Sequence, residues 1–121
     1  MKIKPGVIMS ERLEMRPVLI CAELLWKDAG VKEGTTVTSG KDGEHSAGSY
    51  HYYGLAYDFR TRYWDNDVAA EVAVKMKAAL GGDYDVVVHK HGYDDNGLIN
   101  RVGHMHVEYD KEQAECWDGE S

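Results

Sequence analysis

Cysteine, proline and long apolar runs are all scarce in this chain, and each scarcity excludes something. Among 121 residues there are two cysteines, Cys21 and Cys116, and no CxxC pair, so neither a disulfide scaffold nor a thiolate zinc motif is available. Cys21 lies in the apolar run Val18-Leu19-Ile20-Cys21-Ala22, where a thiol behaves as a small hydrophobe, and both cysteines are expected to be reduced. No apolar run approaches the roughly 20 residues that cross a bilayer. Nor does the start, Met1-Lys2-Ile3-Lys4-Pro5-Gly6, lead into the apolar stretch of a secretory signal, so synthesis in the cytoplasm is expected. Cations are outnumbered, 14 Lys and Arg against 21 Asp and Glu, and a net charge of −7 lacks the footprint of a duplex-DNA binder. No nucleic-acid or membrane partner is expected. Only two prolines, Pro5 and Pro17, and no repeat or Gly/Ser linker leave one domain over residues 1–109, expected to be monomeric, followed by an acidic tail over 110–121. That tail carries five acids against one lysine, a net −4, so the acidity says little about what the body binds.

The pattern along the chain predicts an α+β domain. Pro17 suits the first turn of a helix running to Gly30, with a preceding helical turn between Ser10 and Met15. Thr35–Thr38 is β-branched and reads as a short strand, and Lys41–Gly48 as a polar loop. Tyr52–Arg60 alternates and is rich in aromatics, which favours a second strand. Asp65 or Asp67 can cap a second helix in which Val68, Val72, Met76 and Ala79 recur at helical spacing up to Gly81. Tyr84–His91 predicts a strand, Asp94-Asp95-Asn96-Gly97 a turn, and Leu98 onward a return ending in the strand His104–Tyr109. A small antiparallel sheet with the helices packed mainly on one face follows.

Six histidines in so short a chain are the conspicuous surplus. His51 and Asp58 stand seven residues apart; on a regular strand they face opposite ways, and on a helix they are about 10.5 Å apart along the axis. A shared metal therefore requires a bend, and Gly54 permits one. His104 and His106 are two apart, so on a strand both imidazoles point one way while Met105 and Val107 face the core. His51, Asp58 and one of that pair make a His2Asp set, whose open fourth position is the arrangement of a catalytic zinc site. His89 and His91 form a second same-face pair that either turns one ring to the site or lies in solvent. Tyr50, Tyr52, Tyr53 and Tyr57 cluster round the first motif and read chiefly as strand packing, with a groove lining as the alternative. Tyr63 and Trp64 are expected in the core.

Ser49-x-His51-x2-Gly54-x-Ala56-x-Asp58, followed by His104-x-His106, resembles the zinc peptidases that include D-Ala-D-Ala carboxypeptidases and phage L-alanyl-D-glutamate endolysins. These belong to a wider group with lysostaphin-type enzymes and the hedgehog amino-terminal domain. Thr38-Ser39-Gly40 and Asp58-Phe59-Arg60 are also similar to small phage and prophage members, and the matched region runs from Thr38 to Tyr109. The resemblance implies a fold of that type, with zinc on His51, Asp58 and His106 and Ser49 supporting the site by hydrogen bonding. It implies hydrolysis of a peptidoglycan stem peptide, as carboxypeptidase or endopeptidase, by a protein reaching the wall on phage lysis or within a virion. Two positions depart from the pattern. Gly103 stands where the family usually has the Glu or Asp general base, three residues before the last zinc histidine, which leaves His104 as the closest substitute catalytic residue. His89, His91 and Glu108 are further candidates. Lys41 stands where carboxypeptidases often carry an arginine for the substrate carboxylate, and it lacks the bidentate fork.

Overall fold

The computed structural model describes residues 1–42, 49–51 and 53–110. His45, Tyr52, Cys116 and the tail beyond Asp110 lie outside the described residues. Within them the chain forms strand β1 (Lys2–Ile3), a 3-10 turn (Leu13–Met15), helix α1 (Arg16–Asp28), β2 (Thr36–Ser39), β3 (Ala56–Arg60), helix α2 (Asn66–Leu80), β4 (Tyr84–His89), β5 (Gly92–Tyr93), β6 (Ile99–Asn100) and β7 (His104–Tyr109). Neither helix is long and apolar enough to cross a membrane.

The strands form a five-stranded sheet in the order β1-β2-β3-β7-β4, and β5 pairs with β6 as a separate ribbon. The expected antiparallel sheet is in fact mixed, because β1 runs parallel to β2. Two residues have no periodicity to detect. This strand exists because Lys2 N–H donates to the Thr35 carbonyl at 2.7 Å and Lys4 N–H to that of Val37 at 2.9 Å. β7 lies between β3 and β4, antiparallel to both. The Asp94–Gly97 turn holds as expected: Asp94 Oδ1 accepts from the amides of Asn96 and Leu98, each at 2.9 Å, and Gly97 adopts a φ of +78°. It tips the short β5–β6 ribbon, however, rather than a continuous β4–β7 hairpin.

Alternation along β3 and β7 builds the core. Tyr57, Phe59, Met105 and Val107 are fully buried and pack with Val18, Ala22 and Trp26 of α1, which repeat every four residues. The Trp26 ring lies 5.7 Å from Phe59 and 4.8 Å from Trp64, and its Nε1–H donates to the Arg60 carbonyl at 3.1 Å. On α2 the buried face is Ala69, Val72, Ala73 and Met76; Val68 is exposed and Ala79 faces solvent with it. Both helices serve one core on one side of the sheet, and the other side is left for polar side chains. Cys21 is a free thiol on α1, and burial pushes its pKa up, which keeps it inert.

Trp26→Ala should lower unfolding stability by about 3–5 kcal/mol, since it removes the ring at the centre of this core. Leu24→Ala, on the exposed side of the same helix, should change it by no more than about 0.5 kcal/mol. Urea titrations followed by circular dichroism measure both.

Candidate metal centre

Three rows of side chains cross the outer face of the sheet. The β3–β7–β4 register sets Asp58 beside His106 and Val87, then Arg60 beside His104 and His89, and on the other side Ala56 beside Glu108 and Asp85. His51 joins the middle row from outside the sheet. It lies in the turn preceding β3, where Gly54 takes a φ of +72° and supplies the bend that the His51–Asp58 spacing demands. His51 N–H donates to Ser49 Oγ at 3.3 Å, a supporting role within the turn.

The donor atoms of His51, Asp58 and His106 lie within 4.8 Å of one another. His51 is 4% exposed, and its Nδ1 is 2.9 Å from the Gly40 carbonyl oxygen. A carbonyl only accepts, so Nδ1 carries the proton and Nε2 faces Asp58 Oδ1 at 3.2 Å. His106 mirrors this arrangement. Its Nε2 is 2.7 Å from Glu108 Oε1, and its Nδ1 is 2.9 Å from the same Asp58 oxygen. With Nε2–H of His106 donating to Glu108, both imidazoles turn their other nitrogen to one carboxylate oxygen. Only a proton or a cation on each contact makes that favourable. A tetrahedral cation with bonds near 2.1 Å separates its ligands by roughly 3.4 Å, close to the observed spacings. The donor set therefore fits a metal ion, and Gly40 and Glu108 orient the ligands from behind.

His104 sits at the mouth of this cluster, its Nε2 3.7 Å from Asp58 Oδ2 and its side chain 36% exposed. His89 stacks on it with ring centroids 4.5 Å apart. The expected same-face pairing of His89 with His91 does not occur, because the strand ends at His89 and the backbone turns His91 inward. The His91 ring is buried: Nδ1 accepts from Gly103 N–H at 2.9 Å, and Nε2 is 3.0 Å from the Trp64 carbonyl and 3.2 Å from that of Thr61. His91 is a structural tie between the start of α2 and the start of β7. Gly103 is locked by the same tie, since a Cβ there would lie 2.4 Å from the His89 carbonyl oxygen and 2.8 Å from the His91 amide. No acid fits at that position without backbone movement.

Of the tyrosines, Tyr57 is core with its hydroxyl accepting from Ser10 N–H at 2.8 Å, Tyr50 donates to Asp110 at 2.5 Å, and Tyr53 is exposed. Lys41 is 3.1 Å from Glu11 Oε1. Glu108 has a stronger part than its place as a spare base candidate suggested; its spacing of two from His106 on a strand was the available signal. Gly40 had none, because its contribution is a carbonyl that only folding brings to His51.

Charge follows from this packing. Burial alone would raise the Asp58 carboxyl, but hydrogen bonds from His106 and His51 outweigh it and hold the group well below the usual range. Burial would lower His106, yet its bonds to Asp58 and Glu108 raise it above its ordinary value. His104 is lowered, by burial first and then by the neighbouring imidazoles of His89, His106 and His51 against the opposing pull of Asp58.

Comparison with models of known protein families, with curated proteins and with solved structures gives no match.

Two outcomes follow from this geometry. Gly103→Ala should cost about 1–3 kcal/mol in a urea titration, because the Cβ meets backbone rather than a movable side chain. In chelator, the raised His106 contributes stability that is full below about pH 6.5 and is lost as pH rises through its elevated folded value. The lowered Asp58 contributes stability that is full above about pH 4 and is lost as pH falls through its depressed folded value. Urea midpoints of the chelated protein should therefore fall above about pH 6.5 as His106 deprotonates and fall below about pH 4 as Asp58 protonates, with the lowered His104 opposing folding from about pH 6.5 downward, and a bound cation should abolish the alkaline fall by replacing the proton on His106.

Proposed function

We propose that the chain is a zinc-dependent peptidase acting on peptidoglycan stem peptides, of the small phage or prophage type. The observation that carries this reading is the convergence of His51, Asp58 and His106, drawn from a turn and two strands, on one face of the sheet. They are the residues that the resemblance to D-Ala-D-Ala carboxypeptidases and L-alanyl-D-glutamate endolysins implies as ligands. A fold of that wider group, which includes the hedgehog amino-terminal domain, is part of the proposal. His51, Asp58 and His106 would hold the zinc, which when bound supplies a water of lowered pKa and a Lewis acid for a carbonyl.

The chain's own residues divide the remaining work. Gly40 and Glu108 hold the two ligand imidazoles in the required tautomers. His104 is half-buried at the mouth and largely uncharged at neutral pH, so it accepts a proton there and returns it to the leaving amine. His89 stacks on His104 and limits its rotation. The steric lock on Gly103 supports giving this role to His104, because the usual carboxylate has no room. The same lock favours a second reading, a zinc-binding virion or interaction module without peptidase activity.

Zinc content and wall digestion separate the two. Purified protein should carry about one zinc per chain by mass spectrometry, and His106→Ala should lose it. Peptidoglycan digests should release new amino termini in a zinc-dependent manner. His104→Ala should retain zinc and lose at least about 100-fold in kcat. Bound zinc with no cleavage across several wall chemotypes supports the binding module, and no zinc after supplementation ends both readings.

A further inference from the structure

The order β1-β2-β3-β7-β4 leaves the sheet two edges, and they differ in kind. β1 is two residues long, and Lys2 and Lys4 stand in and beside it. Lys4 also joins Arg60, Arg62 and Arg101 along a cleft beside Asp58 and His104, so positive charge gathers toward that edge. A short edge guarded by lysine resists pairing with another chain. The β4 edge lacks these guards. Tyr84–His89 is six residues without lysine or proline, centred on Val86-Val87-Val88, and Val87 is 46% exposed.

Ladder parity fixes which backbone groups of β4 stay open. Asp110 N–H donates to the Asp83 carbonyl, and β7 sets Glu108 beside Asp85, His106 beside Val87 and His104 beside His89. Odd-numbered residues of β4 therefore turn their amides and carbonyls to β7, and even-numbered residues turn theirs outward. Those of Tyr84 are satisfied, the amide by the Gly81 carbonyl and the carbonyl by Lys77 Nζ. Among the described residues, nothing bonds to the outward groups of Val86 and Val88.

Charge is polarised along the same strand. At its start, carboxylate oxygens of Asp85, Glu108 and Asp110 lie within 4.8 Å of one another, and His89 and Lys90 stand at its end. A second β4 running the opposite way brings a basic end to each acidic end. A two-fold axis at Val87 sets Val86 opposite Val88, Asp85 opposite His89 and Tyr84 opposite Lys90 of the second copy. In this register Val86 and Val88 exchange the ladder bonds, and Val87 covers Val87 at the closer, non-bonded position. An imidazole donates to a carboxylate whether or not it is charged, so the Asp85–His89 pair holds in either state. Centring the axis on Val86 or Val88 would instead set Asp85 or His89 against Val87.

We propose that β4 is a self-association edge, through which two copies of the chain pair antiparallel about Val87 and join their sheets. The pairing goes beyond the peptidase reading and does not depend on it.

Sedimentation equilibrium of the full chain tests this, in chelator so that no metal bridges the copies. A dimer dissociating at roughly 1–100 µM is expected, as suits a single strand pair. Val87→Lys sets lysine against lysine on the axis and should weaken the dimer at least about tenfold, with an unchanged circular dichroism spectrum. Asp85→Lys should also weaken it, and Asp85→Lys/His89→Asp should restore it by reversing the pair. In a Cys21→Ala/Cys116→Ser background, Val87→Cys should cross-link between copies on mild oxidation. Tyr93→Cys, exposed but off this edge, should not. A monomer at about 1 mM protein would overturn the assignment and leave the edge to some other chain. So would a dimer that persists in folded Val87→Lys, failure of the folded double substitution to restore pairing, or equal cross-linking at positions 87 and 93.

Discussion

Pairing Asp58 with His106 across β3 and β7 commits both faces of the sheet at once. With that register, Tyr57 and Phe59 meet Met105 and Val107 against the helices, and the alternate positions deliver a carboxylate and two imidazoles to the open side. A slip by one residue would send the histidines into the core and the aromatics into water, so burial of the apolar set pins the polar set. The candidate centre therefore owes its precision to hydrophobic packing on the far side of the sheet. His51 is the exception, since a glycine-permitted turn and the Gly40 carbonyl bring it in.

Asp58 concentrates the electrostatics of the centre. One of its oxygens faces two imidazole nitrogens at 2.9 and 3.2 Å, and its other oxygen lies 3.7 Å from a third imidazole. Burial would favour its neutral form, and these partners reverse that preference. Glu108 and the Gly40 carbonyl act one layer out, each facing one nitrogen of the His106 or His51 ring and leaving the other to Asp58. Net charge is a poor guide to such a site. A chain of −7 overall turns a row of cations toward its histidines, while Asp110, expected to open a loose acidic tail, is buried and bonded to Tyr50 and to the Asp83 carbonyl.

Much of this was legible before folding because it is periodic or local. The two helices, the turn at Asn96-Gly97, the bend at Gly54 and the common face of His104 and His106 follow from spacing and from the conformational freedom of glycine. β1 was not legible, since two residues carry no period and its bonds reach 33 residues along the chain, from Lys2 to Thr35. The separation of His89 from His91 was not legible either. Alternation put them on one face, and the strand ended first because the His91 ring finds bonds at Gly103, Thr61 and Trp64 that a solvated strand position lacks.

The amino-acid order by itself determined the α+β class, the inward set of apolar residues and the common face of His104 and His106, because those depend on residue type and on spacing along one element. Tertiary structure alone decided which nitrogen of each imidazole faces Asp58, why Gly103 has no room for a side chain, and where the cations collect. Each of these depends on a distance between groups remote in the chain, set by strand register and by the packing beneath it.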